Sequence, residues 1–165
     1  MRRWRSVEAV AQVEFVDTAS PWVISRSIVV QAPAERIFEF LVDPRRHADF
    51  DGSGSVRGAV SGPARLSMGA KFGMAMRLGL PYRVSSQVKE YDEGHRIAWA
   101  HLGGHRWRYE LESLPDGSTR VTETFDATTA RSAKALKLMD AYRRTARAIE
   151  ETLPRLAALA EREAS

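Results

Sequence analysis

A run of five alternating segments in the middle of this sequence constrains the fold more than any other feature. Apolar and polar residues alternate through residues 71–78, 82–92, 95–102, 105–114 and 118–128. Short turn signals containing glycine, and in places proline or aspartate, separate the segments, which is typical of β-hairpins. Strands joined by such short turns must be antiparallel. We therefore predict an antiparallel meander, preceded by one further strand near residues 56–60.

Helical patterns lie on both sides of the meander. Residues 22–31 are rich in β-branched side chains and predict a first strand, after which Pro33 favours the first turn of a helix. A second short helix is predicted over residues 45–50. Near the C-terminus, apolar residues spaced three and four apart predict one long helix over residues 132–163. This order of elements predicts an α+β fold with helices gathered on one face of an antiparallel sheet.

Composition narrows the classes of function. The sequence contains no cysteine, which excludes disulfides, thiol catalysis and cysteine-ligated metal clusters. No apolar run approaches the roughly 20 residues that a membrane-spanning helix needs, and no apolar segment follows the basic start of the chain as in a signal peptide. We therefore expect a cytoplasmic protein with no stable membrane insertion. The net charge of +4 comes from basic residues mixed with acidic ones along the chain, so no nucleic-acid partner is predicted.

The length of 165 residues fits one domain with a core of its own. Residues 1–20 show only a weak helical spacing and are predicted to be a mobile N-terminal extension before the domain. Residues 21–163 are predicted to form the folded domain.

Four short motifs resemble a known superfamily. They are SIVVQAPAERIF at residues 27–38, DPRRH at 43–47, HRWRYEL at 105–111 and GSTRVT at 117–122. With the order of elements over about residues 22–160, they resemble the polyketide cyclase/dehydrase and lipid-transfer superfamily, called START-like or SRPBCC. The resemblance implies a helix-grip fold, in which a curved antiparallel sheet of about six or seven strands wraps around a long C-terminal helix, with two short helices after the first strand. Members of this superfamily include lipid carriers, hormone receptors, aromatase/cyclases and co-chaperone domains.

Pairing across the turns predicts which strand residues share a face. The turn at residues 115–117 can pair Tyr109 with Glu123. A three-residue loop at residues 103–105 puts Trp99 on the same face, whereas a two-residue loop would put it on the other. Apolar strand faces usually build core, but a curved sheet gripping a helix leaves room for a ligand. The predicted cavity lining is Phe72, Met74, Met76, Val84, Ser86, Trp99, His101, Trp107, Tyr109, Glu123 and Phe125 from the strands, with Leu136, Met139 and Tyr142 from the helix.

Two of these residues are polar exceptions on an aromatic face. Glu123 and His101 could anchor a ligand oxygen or act as a general acid or base, and Tyr109 could hydrogen-bond to Glu123. The alternative is that both make satisfied structural hydrogen bonds or reach water at the rim of the sheet. No catalytic residue is assigned on this basis. The four histidines lack metal-ligand spacing, so neither a metal nor any other cofactor is predicted.

Three hypotheses on function follow. The first is a carrier or sensor that binds a small hydrophobic ligand, such as a lipid or polyketide, which enters past residues 52–58 and 79–81. The second is an enzyme of the polyketide cyclase, aromatase or dehydratase type, which requires Glu123, Tyr109 or His101 to converge on one void. The third is an interaction module, which would need an exposed apolar patch on the opposite face of the sheet.

Overall fold

The described residues, 11–138 and 140–162 of this computed structural model, form one curved antiparallel sheet with helices packed against it. The strands are β1 (Glu14–Phe15), β2 (Val23–Val30), β3 (Val56–Ser61), β4 (Lys71–Leu78), β5 (Leu80–Asp92), β6 (Arg96–Ala100), β7 (Arg106–Ser113) and β8 (Thr119–Asp126). Their spatial order is β1-β2-β8-β7-β6-β5-β4-β3. Only β2 and β8 are neighbours that lie far apart in sequence, so their pairing brings the first full strand beside the last.

The helices occupy the predicted places. They are α1 (Ala34–Val42), a 3₁₀ helix (Pro44–Arg46), α2 (His47–Phe50), α3 (Ala133–Leu138) and α4 (Ala141–Arg162). The predicted α+β helix-grip architecture is therefore confirmed. The sheet has eight strands among the described residues rather than six or seven, because β1 adds a short edge strand.

That edge strand lies inside the predicted N-terminal extension. Glu14 pairs with Ser27 and Phe15 pairs with Arg26, while the Arg26 guanidinium carbon lies 3.9 Å from the centre of the Phe15 ring. Residues 14 and 15 are thus attached to the sheet through backbone pairing and a cation–π contact.

The long C-terminal helix is confirmed, but it does not run without a break over residues 132–163. The helical region consists of α3 and α4, and Asp140 between them has a φ of 54°. Aspartate tolerates this left-handed conformation better than most residues, because its short side chain can hydrogen-bond locally. The Asp140 carbonyl accepts from the Arg144 N–H at 3.2 Å, so α4 starts afresh at this point. Apolar periodicity continues across such a break and therefore does not reveal it.

The strand register matches the predicted faces. Tyr109 is opposite Glu123, and Trp107 is opposite both Phe125 and Trp99, so the loop after Trp99 keeps that residue on the inner face. A β-bulge between Val88 and Glu90 was not foreseen. The extra residue reverses the alternation, which sends Glu90 to the outer face.

The outer face of the sheet is charged around Glu90. Its carboxylate accepts from Arg108 at 2.7 Å and from Arg106 at 3.0 Å, and Arg96 lies 3.6 Å away. These hydrogen bonds and charges hold the pKa of Glu90 below its ordinary value, with Arg108 as the largest cause. A face so covered with paired charges does not offer the apolar patch that the interaction-module hypothesis needs.

The core lies between the inner face of the sheet, α1 and the C-terminal half of α4. In α4, Ile149, Leu153, Leu156 and Ala160 are fully buried at helical spacing. Ile37, Phe38 and Leu41 provide the matching surface of α1. Burial of these apolar side chains, each worth roughly 1.5–3 kcal/mol, fixes the helices on the sheet.

Gly52 allows the loop after α2 to touch α4. Its N–H donates to the Thr152 hydroxyl at 2.8 Å. A Cβ added at Gly52 would lie 2.5 Å from the Thr152 nitrogen and would also collide with the Ala148 carbonyl oxygen. Only glycine fits this close approach of two backbones.

We expect Gly52→Ala to destabilise the protein by at least about 2 kcal/mol, because the helix backbone cannot yield to the added methyl group. Gly54→Ala is the matched control. Gly54 has a φ of 69° but open space around it, so alanine there should cost only about 1 kcal/mol of backbone strain. Urea denaturation of both variants would check this, and equal losses would contradict a steric role for Gly52.

Candidate functional site

A cavity of about 570 Å³ lies between the inner face of the sheet and the N-terminal half of α4. Strands β3 to β8, the α2–β3 loop and α4 all contribute to its wall. Ten of the predicted lining residues lie in this wall: Phe72, Met74, Met76, Val84, Ser86, Trp99, His101, Trp107, Tyr109 and Glu123. The structure therefore brings together most of the residues that the strand alternation selected.

The other four predicted residues lie elsewhere. Phe125 is fully buried behind the cavity wall, packed edge-on against Trp107 and Tyr142 at ring distances of 5.0 and 5.9 Å. The Tyr142 hydroxyl donates a hydrogen bond to the Ala133 carbonyl oxygen at 3.3 Å. Leu136 packs against the core. Leu136 lies on α3, before the break at Asp140, and is not part of the cavity wall. Met139 lies outside the described residues.

Several wall residues were not predicted. On α4 the uncharged ones are Ala141, Thr145, Ala148 and Thr152, whose spacing of three and four marks one helix face. This face of α4 carries small and hydroxyl-bearing side chains. The residues of α4 that pack against the core farther along the helix are mainly leucine and isoleucine. The wall also contains His47, His105 and Tyr82. His47 ends the DPRRH motif quoted above, and that was the one sequence signal that could have identified it.

Glu123 is the most unusual group in the wall. Its side chain is 2 % exposed, and Oε2 has no hydrogen-bond partner among the described residues. Arg26, its register partner on β2, donates instead to Glu150 of α4 at 3.0 Å. Burial raises the pKa of Glu123 to about 8, against a smaller opposing effect of the Tyr109 hydroxyl. At neutral pH the carboxyl is therefore mostly protonated and can donate a hydrogen bond.

Tyr109 is the direct neighbour of Glu123 across the β7–β8 pair. The phenol is buried, and desolvation together with the nearby carboxyl raises its pKa well above the ordinary value. Tyr109 thus stays neutral. Its ring lies 5.6 Å from that of Trp99, so the phenol and the carboxyl share an aromatic surround.

Two histidines form a second polar group near the turn between β6 and β7. His101 Nδ1 lies 2.7 Å from the Ser86 hydroxyl, and burial lowers the His101 pKa to about 4, helped by His105. The ring centres of His101 and His105 are 5.4 Å apart. Burial lowers the pKa of His105 as well. Both rings are consequently neutral near pH 7, and each can accept a hydrogen bond at its unprotonated ring nitrogen.

His47 completes the set of buried histidines. Its Nε2 lies 2.9 Å from the Leu41 carbonyl oxygen, which requires Nε2 to carry the hydrogen. The ring stacks on Trp99 at 4.9 Å, and burial lowers its pKa. His47 therefore fixes the Trp99 ring against α2 and helps to shape the cavity.

Charged residues lie at the opening of the cavity. Arg144, Arg147 and Glu151 of α4 and Asp51 of the α2–β3 loop all contribute to the wall. Arg155 ties the helix to the loop, donating to the Asp51 carbonyl at 2.6 Å and to Glu151 at 3.0 Å.

Within residues 11–138 and 140–162, no cluster of three or more histidine or carboxylate side chains is placed to hold a metal ion. In the same part of the chain no helix is apolar over a length that would cross a bilayer.

The raised pKa of Glu123 predicts a pH-dependent loss of stability. Between the ordinary value of 4.5 and about 8, the unfolded carboxyl releases a proton that the folded protein retains. The Glu123 contribution to the free energy of unfolding therefore falls as pH rises through this window. Because Gln does not titrate, Glu123→Gln should gain stability relative to wild type between about pH 5 and pH 8, by at least about 1 kcal/mol.

Thermal denaturation of both proteins at several pH values would measure this difference. The matched control is Glu112→Gln on β7, whose carboxylate is exposed and pairs with Arg120. That control should show no comparable trend. A difference between Glu123→Gln and wild type that stays constant with pH would refute the neutral, buried carboxyl.

Comparisons with known proteins agree with this geometry. Protein NE0264 from Nitrosomonas europaea superposes with a TM-score of 0.69 at 14% identity, covering 89% of this chain and 99% of that protein. An aromatase/cyclase, Zhui, from a Streptomyces species superposes with a TM-score of 0.63 at 17% identity, covering 87% and 95%. At these identities the likeness shows the fold alone.

Relatives in sequence lead to the family. Uncharacterized protein Rv0088 of Mycobacterium tuberculosis is 51% identical over 109 residues, which is 66% of this chain. The aligned part is 49% of Rv0088, so this chain spans about half the length of that relative. The model of one family, described as polyketide cyclase / dehydrase and lipid transport, matches residues 21–161. Because this match covers most of the sequence, the chain belongs to the polyketide cyclase/dehydrase and lipid transport family.

Proposed function

We propose that the protein binds a small hydrophobic ligand, a lipid, polyketide or related metabolite, in the cavity described above and acts as a carrier or sensor. The observation that carries this proposal is the cavity of about 570 Å³ with aromatic and methionine walls. Ligand pockets are typically concave, mostly apolar and of this size. The lack of cysteine is compatible with the proposed cytoplasmic location.

Apolar contact would supply most of the affinity. Phe72, Trp99 and Trp107 present ring surfaces, while Met74 and Met76 provide flexible thioether chains that adapt to ligand shape. Burial of apolar surface contributes roughly 25 cal/mol per Å² before the cost of ordering the ligand is subtracted. A flat ring system would find aromatic surfaces on both β4 and β6–β7.

Polar groups would set the orientation of the ligand. The protonated Glu123 carboxyl can donate to a carbonyl or hydroxyl oxygen, and its Oε2 has no partner of its own. We infer that the ligand places an oxygen near this carboxyl. It would enter between the α2–β3 loop and the β4–β5 hairpin, where Ser53, Ser55 and Leu78 reach the cavity.

The test of binding is native mass spectrometry of protein purified without detergent, combined with titration of the neutral fluorophore phenylnaphthylamine. We expect either a co-purified hydrophobic adduct or saturable probe binding. Trp107→Ala should weaken probe binding about tenfold or more, because it removes one wall of the cavity.

Trp22→Ala is the matched control for that measurement. Trp22 packs on Tyr142 with ring centres 5.9 Å apart and does not line the cavity. This variant should bind the probe like wild type once its folding is confirmed. If wild type binds neither adduct nor probe, or if both variants lose binding equally, the carrier proposal fails.

A second candidate is an enzyme of the cyclase or dehydratase type. The specific observation that favours it is that Glu123, Tyr109 and His101 all line one cavity. Neutral His101 could take a proton from the carbon between two carbonyls. The resulting enolate carbon would attack another carbonyl of the same chain, forming a carbon–carbon bond. The Glu123 carboxyl would protonate the alkoxide to an alcohol. The resulting Glu123 carboxylate would then remove a neighbouring C–H proton while protonated His101 gives its proton to the departing hydroxyl, so that water leaves, the unsaturated ring forms and both side chains regain their starting states.

Turnover of a synthetic poly-β-keto thioester would test the enzyme candidate. We expect Glu123→Gln to lower kcat about 100-fold, because positioned acid–base groups typically contribute at least that factor. Its affinity for phenylnaphthylamine should change less than about threefold, since glutamine preserves the shape of the cavity. Unchanged turnover in Glu123→Gln would exclude this carboxyl as the acid.

A further inference from the structure

One segment departs from the mixture of charges found elsewhere in the chain. Residues 52–89 contain no aspartate or glutamate, and their six basic residues are Arg57, Arg65, Lys71, Arg77, Arg83 and Lys89. The segment comprises β3, β4 and most of β5, at one edge of the sheet. Arg65 pairs with Glu39 and Glu93. Within the described ranges, the other five form no ion pair, which leaves this edge cationic.

The β4–β5 hairpin in this segment carries an exposed apolar tip. All residues from 77 to 83 are exposed, with Leu78 at 63%, Leu80 at 79% and Tyr82 at 42%. Leu78 lies opposite Leu80 in the register, and Met76 lies opposite Tyr82. Residues that lie directly opposite each other in this register share one face of the sheet. The apolar tip therefore continues the face that bears Met74 and Phe72 inside the cavity.

The two faces of the hairpin differ in character. Arg77 and Arg83 alternate with the apolar residues and therefore lie on the other face, while Leu78 and Tyr82 also contribute to the cavity wall. Isolated exposed leucines are common on protein surfaces. Here three large apolar residues lie together at one exposed tip that is continuous with the cavity. The two arginines beside the tip form no ion pair among the described residues. This combination indicates a docking surface for one kind of partner.

We propose that the β4–β5 hairpin tip docks reversibly on an anionic lipid bilayer. Leu78, Leu80 and Tyr82 would enter the headgroup region, while Arg77 and Arg83 would contact lipid phosphates. Charge complementarity selects this occupant, because the segment holds six cations and no acid. A second copy of the chain would bring like charges together across the contact. Docking at the tip places the cavity opening beside the bilayer surface, where an apolar ligand can transfer without crossing water.

This inference goes beyond the proposed function and is tested separately from it. Because the chain has no cysteine, Leu80→Cys and Met68→Cys each give a single site for an environment-sensitive fluorophore. Met68 is 59% exposed and precedes β4, at the end of that strand opposite the tip. Vesicles of phosphatidylcholine alone would be compared with vesicles containing about one third phosphatidylserine.

We expect the label at position 80 to shift to the blue on anionic vesicles and the label at position 68 to stay unchanged. Leu80→Asp, and separately the double change Arg77→Gln with Arg83→Gln, should reduce cosedimentation with anionic vesicles at least tenfold. Leu80, Arg77 and Arg83 do not line the cavity, so both variants should bind phenylnaphthylamine in solution as wild type does. That readout separates failure of docking from failure of the carrier proposal.

Three outcomes would overturn the inference. They are equal binding to neutral and anionic vesicles, equal spectral shifts at both labels, and no binding to either vesicle. Binding of single-stranded RNA in place of vesicles, or a concentration-dependent dimer that masks the label at position 80, would assign the hairpin tip to a different partner and would also reject the bilayer.

Discussion

The structure depends on how α4 packs against the sheet, which differs between the two halves of the helix. The C-terminal half buries Leu153, Leu156 and Ala160 against the core. The N-terminal half presents Ala141, Thr145 and Ala148 to the cavity. Small side chains cannot reach the sheet across that space, so the helix is fixed at one end and leaves a void at the other. The helix-grip fold thus holds its cavity open without strain, because the interactions that stabilise it lie elsewhere.

Gly52 strengthens this arrangement from the opposite side. The loop after α2 approaches α4 closely enough for the Gly52 N–H to bond to Thr152, at the boundary between the packed and open halves. Arg155 adds a second link from α4 to the same loop through the Asp51 carbonyl. The loop therefore acts as one border of the cavity, while the β4–β5 hairpin forms another. The first border is tied to α4 by hydrogen bonds that span about 100 residues of the chain.

The sequence predicts the faces of the strands better than it predicts the breaks in their pattern. Turn lengths determine register, so Tyr109, Glu123 and Trp107 could be placed on one face before the structure was known, whereas the face of Trp99 depended on the length of the loop after it. The bulge at residues 88–90 could not be foreseen, because an inserted residue leaves no mark on the apolar pattern of a strand.

The same limit applies to the helices and to side chains from separate elements. The break at Asp140 interrupts a stripe whose spacing continues on both sides, and its cause is a backbone conformation that many sequences could adopt. Leu136 precedes this break, and Tyr142 packs on Trp22 and Phe125, so neither lines the cavity as predicted. His47 reaches the site from α2 by stacking on Trp99. Such a contact between distant elements depends on the tertiary fold. The pattern of a single sequence does not reveal which aromatic rings will stack on each other.

The electrostatics of the cavity restrict which part of a ligand can occupy it. Burial keeps Glu123 mostly protonated at neutral pH and keeps His47, His101 and His105 unprotonated. Four titratable groups therefore surround the space without adding a net charge to it. An ionised ligand group would have no counter-charge there and would lose its hydration, which costs several kcal/mol. Any ionised end of the proposed ligand would accordingly be directed to the opening, where Arg147 and Glu151 are in contact with water.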